Sequence, residues 1–518
     1  MPTEIRLALT LPGAVSLGAF EAGAVAALGV GLGALGKAGE QPDAPSVRLD
    51  VIGAASVGAL TGLLLARSLL EGGDPVASQE QSWGRDASLR ALRGRGWSAP
   101  LSYRGIRRRA PELLHPSLDG RLPGQRTPVR LAVGLTNLRG LAYRLPEVSG
   151  PPVVTHLDWI ELRLEAGVDT ADLLRPPGGS TLDVVLASAA NQLAFLPELL
   201  TRTDDRARYQ IEGVVNFPAS GRFWYADAAL LDREPLARTL RLARKVDDEE
   251  KGDFRRVHVL VRPQPQRAGT GNAWADPRER PRWAQVLGRS VAIQQAQSIF
   301  DDLSGMQQTN TRLAAIDTLA AALGPVVSHA TPEVQASLRV ALDGLRGDDP
   351  RAAEEEPIEA LLTTALGRVA DVAGKHQVRV ESIVPPDVGS SASQTAGRAG
   401  PDDALAGAGL FRFAGFLDQR FRRHDFAVGY DSALRWLADG GLTRHGLTAL
   451  QREAMTTAMR GRRPAPVHLP NSRLTLRAAW AALELTGRMG LVALHDLAVG
   501  PRGAADVHPP GQRTDEQT

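Results

Sequence analysis

Two periods of apolar and polar residues alternate along the chain. Residues 5–11 are a short continuous apolar run of the kind that makes a buried strand. A Pro12-Gly13-Ala14 turn follows, then a helical apolar pattern over 17–28, with Ser16 placed to cap it. The same succession of strand, small-residue turn and helix returns over 47–70. Two such units in series predict an α/β fold, with a parallel sheet and helices on its faces. Further strands are expected at 127–138, with 141–148 able to pair with it, and at 209–217, 222–225 and 256–261. Residues 181–200 read as a helix broken by Pro197, and another helix starts near Glu234-Pro235.

Beyond the last of those strands the pattern changes. Residues 273–374 are mainly helical, and 378–384 supply a returning strand. The expected organisation is an α/β core over 1–265 and a helical insertion with that strand over 266–384. A Ser/Gly/Ala/Pro-rich flexible linker over 385–403 follows, then a helical region over 404–500 and a disordered tail over 501–518.

Composition narrows the classes of function. The chain has 518 residues, 43% of them hydrophobic, enough to bury a large core. Lys+Arg 60 against Asp+Glu 58 is nearly balanced, and only four of the basic residues are lysine. No concentrated basic face is indicated, so nucleic acid is not an expected partner. The absence of cysteine excludes disulfides, thiolate catalysis and cysteine zinc sites. The ten histidines are scattered without ligand spacing, so a metal site has little support, and no cofactor is expected. Residues 7–35 could pass for a signal peptide or a membrane span, but Glu21 and six glycines interrupt them. A buried strand, turn and helix fit better, and the expected location is cytoplasmic or peripheral to a membrane.

The candidate chemistry begins where the second strand meets its helix. Ser56 stands among Ala54, Ala55, Gly58 and Ala59, the layout of a nucleophile elbow, although a capping serine in a plain turn has the same signature. Backbone donors for an oxyanion could come from Gly13, Ala14 and Val15, since Pro12 has no N–H. Asp227 follows the aromatic strand Phe223-Trp224-Tyr225 and precedes Ala228-Ala229. It could serve as a base in a cleft or simply cap the next segment. The arginines of 104–109 read as a solvated helix face rather than a contact for anionic lipid. His424-Asp425, within Arg422-Arg423-His424-Asp425, reads as a surface or interdomain ion cluster rather than a catalytic pair.

Four stretches in order, LALTLPGAVSLGAFEAGAV, DVIGAASVGAL, LASAANQLAFLP and WYADAALLDREP, resemble the patatin-like phospholipases. The resemblance covers roughly residues 1–265. The segment GFLDQRFRRHDFAVGYDSALRWL, 415–437, is in addition similar to one seen in long bacterial members. The family implies a three-layer α/β/α fold and lipid acyl hydrolysis by a Ser–Asp dyad without histidine or metal. It places the nucleophile at Ser56, the base at Asp227 and the oxyanion loop at residues 12–15. It implies a phospholipid or other lipid ester as substrate, with peripheral membrane contact. Three positions depart from its motifs: Leu11-Pro12-Gly13 stands for three glycines, Ala54 for the first elbow glycine, and Ala228 for the glycine after the aspartate. Each change adds a methyl group where backbone normally approaches closely. Two outcomes stay open on sequence, a working hydrolase and a fold that binds lipid or a partner without turnover. A nucleotide-binding reading of the repeated strand-turn-helix unit ranks last, because no phosphate-loop pattern accompanies it.

Overall fold

The computed structural model describes residues 3–38, 44–93, 99–115, 124–145, 149–175, 179–263, 283–346, 358–372, 375–386, 405–408 and 412–467, with a few later positions. The expected linker, apart from its first two residues, and the expected tail lie outside the described residues.

The first unit forms as its pattern dictates. Strand β1 (Glu4–Leu11) is buried along nearly its whole length and runs through the 12–17 loop into helix α1 (Gly18–Ala38). Strand β2 (Ser46–Ala54) pairs parallel with β1, Leu11 opposite Ala54, and turns at Ala55-Ser56 into helix α2 (Val57–Glu71). Both strands therefore end side by side, at the carboxyl edge where parallel sheets bind ligands. Helix α3 (Arg104–Leu114) leads to strand β3 (Val129–Tyr143), which lies parallel to β2, and strand β4 (Val153–Leu164) returns antiparallel to β3. Helix α4 (Thr181–Ser188), strands β5 (Glu198–Thr201) and β6 (Arg222–Ala226), helix α5 (Leu236–Glu249) and strand β7 (Phe254–Val261) complete the first half.

Helices α6 (Trp283–Ser328), α7 (Pro332–Arg346) and α8 (Ile358–Val369) follow among the described residues, and then strand β8 (Val380–Ile383) joins β7 in parallel. The sheet order is β5-β6-β3-β2-β1-β7-β8, with β4 also paired to β3. It is mixed and mostly parallel, in an α/β fold compatible with three α/β/α layers. Helix α5 covers one face, its Leu242, Ala243 and Val246 on Ala8, Val51 and Ala132. Helices α1, α2 and α4 pack with the other face in the main core.

Helices α9 (Ala414–Leu417), α10 (Gln419–Ala438) and α11 (Ala449–Gly461) belong to that same core, through Phe416, Phe426, Tyr430, Leu437, Met455 and Met459. Helix α10 crosses α1 at two facing glycines. A Cβ on Gly23 would sit 1.9 Å from the Phe426 carbonyl oxygen, and one on Gly429 would sit 1.9 Å from that of Phe20. The apolar stretch 15–36 is long enough to cross a membrane by length and composition, and here it is an interior helix sheathed by the rest of the fold.

Several expectations need correction. Of the stretch 141–148 expected to pair with 127–138, residues 141–143 belong to β3 itself, and 146–148 lie outside the described residues. β3 runs unbroken to Tyr143, because a bulge between Thr136 and Leu141 absorbs the irregular stretch. There the Asn137 side chain accepts the Arg139 and Gly140 N–H groups, and Gly140 has φ +78°. The partner strand is β4, whose half-exposed face hides it from an apolar-run reading. Residues 209–217 are not a strand. Arg206–Ile211 is a helical turn that buries Tyr209, whose hydroxyl donates to Asp158, and leaves Ile211 exposed. The helix expected over 181–200 stops at Ser188. Ser16 does not cap α1; its hydroxyl bonds to the C-terminal region instead. The arginine face of α3 is partly committed to ion pairs, Arg107 with Asp183 and Glu198, and Arg109 with Asp86.

Candidate active site

At the carboxyl end of β2 the chain turns within one residue. Ser56 has φ +53° and ψ −132°, a backbone conformation that side-chain-bearing residues rarely adopt, and α2 begins at the next residue. The turn is held from two sides. The Ser56 N–H donates to the Ser188 hydroxyl at 2.9 Å, and that hydroxyl donates to the Gly134 carbonyl at 2.7 Å. Gly58 lets α2 pass against the end of β1, since a Cβ there would lie 2.6 Å from the Leu11 carbonyl oxygen. Ser56 is thus more than a capping serine: its side chain makes no cap bond, and its backbone is strained.

Asp227 follows β6 and is buried at 2% exposure. One carboxylate oxygen accepts the Ala229 N–H at 2.9 Å, so the capping role expected of it is present. The other accepts the Asn191 side-chain amide at 3.2 Å, and the Ser56 hydroxyl faces the same carboxylate closely enough to lower its pKa. Its backbone is fixed as well, the N–H donating to the Ala190 carbonyl and the carbonyl accepting the Thr136 hydroxyl. Burial raises the Asp227 pKa above the ordinary carboxylate value. The Ala229, Ser56 and Asn191 donors and the Arg233 charge oppose that rise without cancelling it. A buried carboxylate with a raised pKa beside a strained serine hydroxyl is an arrangement that can support general-base activation of a nucleophile.

The 12–15 loop lies against this pair. A Cβ on Gly13 would sit 2.6 Å from the Ala229 methyl and 3.1 Å from Ser56 Cβ, so only glycine fits there without movement. The expectation that Gly13 donates to an oxyanion needs correction: its N–H already donates to the Arg233 carbonyl at 2.8 Å. Arg233 Nε in turn donates to the Gly13 carbonyl at 2.9 Å, so the two residues pin the loop reciprocally. The Ala14 and Val15 N–H groups have no acceptor among the described residues and remain as donors. Val15 shares with Ser56 a positive φ, +54°.

Ser56, Asp227 and Val15 line one cavity of about 760 Å³, counted out through its mouth. Most of the remaining lining is apolar, with Leu60, Trp83, Ile106, Leu186, Phe413 and Phe416 among it, and no histidine contributes. Tyr103 stacks on Phe195 with ring centroids 4.2 Å apart and donates its hydroxyl to the Ala189 carbonyl, closing another side. Among the described residues no cluster of His, Asp and Glu could hold a metal ion.

The structure therefore brings Ser56, Asp227 and the 12–15 loop together. Residues not singled out from sequence are Ser188, Asn191, Thr136, Tyr103, Arg233 and the two phenylalanines. Ser188 and Asn191 lay within the third motif stretch, so their neighbourhood was visible although their roles were not. The cluster at 422–425 divides: Arg423 and His424 stay partly exposed, while Arg422 and Asp425 face inward, where Arg422 bridges to the core as expected of an interdomain cluster. Arg422 is buried and donates to three backbone carbonyls, and Asp425 is buried and accepts two backbone N–H groups.

No protein-family model matches the sequence, and no curated protein is significantly similar to it.

Proposed function

We propose that this chain is a lipid acyl hydrolase of the patatin-like phospholipase type, a carboxylic ester hydrolase working through a Ser56–Asp227 dyad. The observation that carries the proposal is a strained elbow serine facing a buried carboxylate at the wall of an apolar cavity. In the proposed reaction Asp227 takes the Ser56 proton as Oγ attacks the ester carbonyl carbon. The carbonyl oxygen becomes an oxyanion facing the Ala14 and Val15 N–H groups. The C–O bond to the alcohol breaks, and the alcohol leaves with the proton from Asp227. Water, deprotonated by Asp227, then cleaves the acyl-enzyme and regenerates Ser56.

An apolar cavity suits an acyl chain, so a phospholipid or another lipid ester is the proposed substrate class. Exposed Leu193 and Leu196 flank cavity-lining Phe195 and suit peripheral contact with a lipid surface. The alternative, a lipid-binding or interaction module without turnover, drew its support from the three departures from the motifs. Two of the added methyls fit: Ala54 and Ala228 are fully packed, and neither has a positive φ.

The test is labelling with a fluorescent fluorophosphonate, beside release of fatty acid from short-chain esters and phospholipid vesicles. Wild type should label and turn over, and Ser56→Ala should do neither. Asp227→Asn should lose about 10²–10⁴-fold in rate, the usual contribution of a positioned base. Folded wild-type protein that neither labels nor hydrolyses any ester would leave the noncatalytic reading.

A further inference from the structure

We infer that the C-terminal region carries the acyl-chain selectivity of this site, with Phe413 and Phe416 forming the wall against which the substrate chain ends. The inference rests on the hydrolase reading for the identity of its ligand. Both rings line the cavity that holds Ser56 and Asp227, although they lie more than 350 residues downstream of the serine. They pack edge to face on each other, centroids 5.8 Å apart, and both are buried.

The wall is tied rigidly to the catalytic loop. Ser16, next in the chain after Val15, donates its hydroxyl to the Arg412 carbonyl at 2.5 Å and accepts the Gly415 N–H at 3.0 Å. Gly415 must be glycine there, because a Cβ would lie 2.6 Å from the Ser16 hydroxyl. On the far side Arg422 Nη1 donates to the Gly415 carbonyl at 2.8 Å, while its Nε donates to the Trp83 carbonyl at 2.9 Å. Trp83 is itself a lining residue. Asp425 accepts the Ala406 and Gly407 N–H groups at 2.7 and 2.8 Å, fixing the turn that precedes the phenylalanines. A buried arginine and a buried aspartate thus spend their hydrogen bonds holding backbone on either side of the two rings. Charged groups so fully desolvated are destabilising unless paired, and here each is paired to backbone that shapes the cavity. A wall built this way sets the depth of the apolar slot.

The test compares wild type with Phe413→Ala, Phe416→Ala, the milder Phe413→Leu, and Phe416→Trp, which adds bulk. The readout is the ratio of kcat/KM for a decanoyl over a butyryl ester, with folding checked by circular dichroism. Each methylene that gains apolar contact should contribute about fourfold. The ratio should therefore rise by about fourfold or more in the alanine variants and rise less in Phe413→Leu. It should fall in Phe416→Trp. Folded variants that keep the wild-type ratio, or lose both esters equally, overturn the inference. A second readout separates it from the hydrolase reading: displacement of a fluorescent fatty acid by free fatty acids of graded length. If no protein turns over but the preferred length shifts among the variants, the hydrolase reading fails and the wall stands. If neither turnover nor length-dependent binding is found, both fail.

Discussion

The backbone at Ser56 can be tested without any substrate. Its φ of +53° and ψ of −132° lie where only glycine is comfortable, and such a residue carries about 1–3 kcal/mol of strain. Ser56→Ala removes the hydroxyl and keeps the Cβ, so it keeps the strain. Ser56→Gly removes both. Glycine also loosens the unfolded chain, which costs about 0.4–1 kcal/mol. The difference leaves Ser56→Gly more stable than Ser56→Ala by about 0.5–2 kcal/mol. Both variants lose the nucleophile, so the comparison is unaffected by function. The assay is equilibrium urea denaturation followed by tryptophan fluorescence and circular dichroism, with the two variants measured side by side. If Ser56→Gly were equal to Ser56→Ala or weaker, the turn would not be strained and the elbow argument would fall.

Three other outcomes are expected. Asp227→Asn should stabilise the fold while slowing turnover by about 10²–10⁴-fold. Burial raises the Asp227 pKa, so the ionised form costs the native state stability that is lost as pH rises from the unfolded value to the folded one. The gain in melting temperature should be largest above that window and vanish below it, and the acid limb of wild-type kcat/KM should lie above the ordinary carboxylate range. Glu21, buried in α1 with neither carboxylate oxygen bonded, has its pKa raised well above normal by burial, against the pull of Arg233. Glu21→Gln should remove the resulting loss of stability with rising pH, read as a flatter profile of melting temperature against pH. A melting profile as steep as wild type would contradict it. Gly13→Ala should cost about 1–3 kcal/mol and slow fluorophosphonate labelling, because the new methyl meets Ala229 at 2.6 Å. Ala229→Gly in the same chain should recover most of the loss, and no recovery would refute the packing account.

Much of the core was legible in the chain because the strand-turn-helix units are local. β1 into α1 and β2 into α2 follow directly from apolar runs bounded by small residues. What failed was non-local. β4 is half-exposed and makes sense only beside β3, so its residues carry no strong run of their own. The bulge at 136–141 looks like a strand end until Asn137 is seen satisfying two N–H groups. The cluster at 422–425 looked solvated because charge runs usually are, and nothing local shows that its partners are backbone atoms 7 to 339 residues away. At the site, Ser56 and Asp227 stood out by residue type. The fate of the Gly13 N–H did not, since a backbone donor's partner has no sequence signal.

The same distinction between side chain and backbone bears on the alanines that stand where the resembled motifs have glycine. A glycine is irreplaceable where φ is positive or where a Cβ would strike a neighbour. Neither condition holds at Ala54, which is packed in β2, or at Ala228, whose methyl would stand 3.4 Å from a Cβ on Gly134. At such positions alanine restricts the unfolded chain and adds stability. The conditions do hold at Gly13 and Gly58, and both are glycine. Among the described residues, positive φ on side-chain-bearing residues occurs at Val15, Ser56, Asp371 and Arg412, and the first two line the same cavity. Two of the four strained residues thus sit at the cavity wall, where the proposed dyad needs its serine held clear of the backbone.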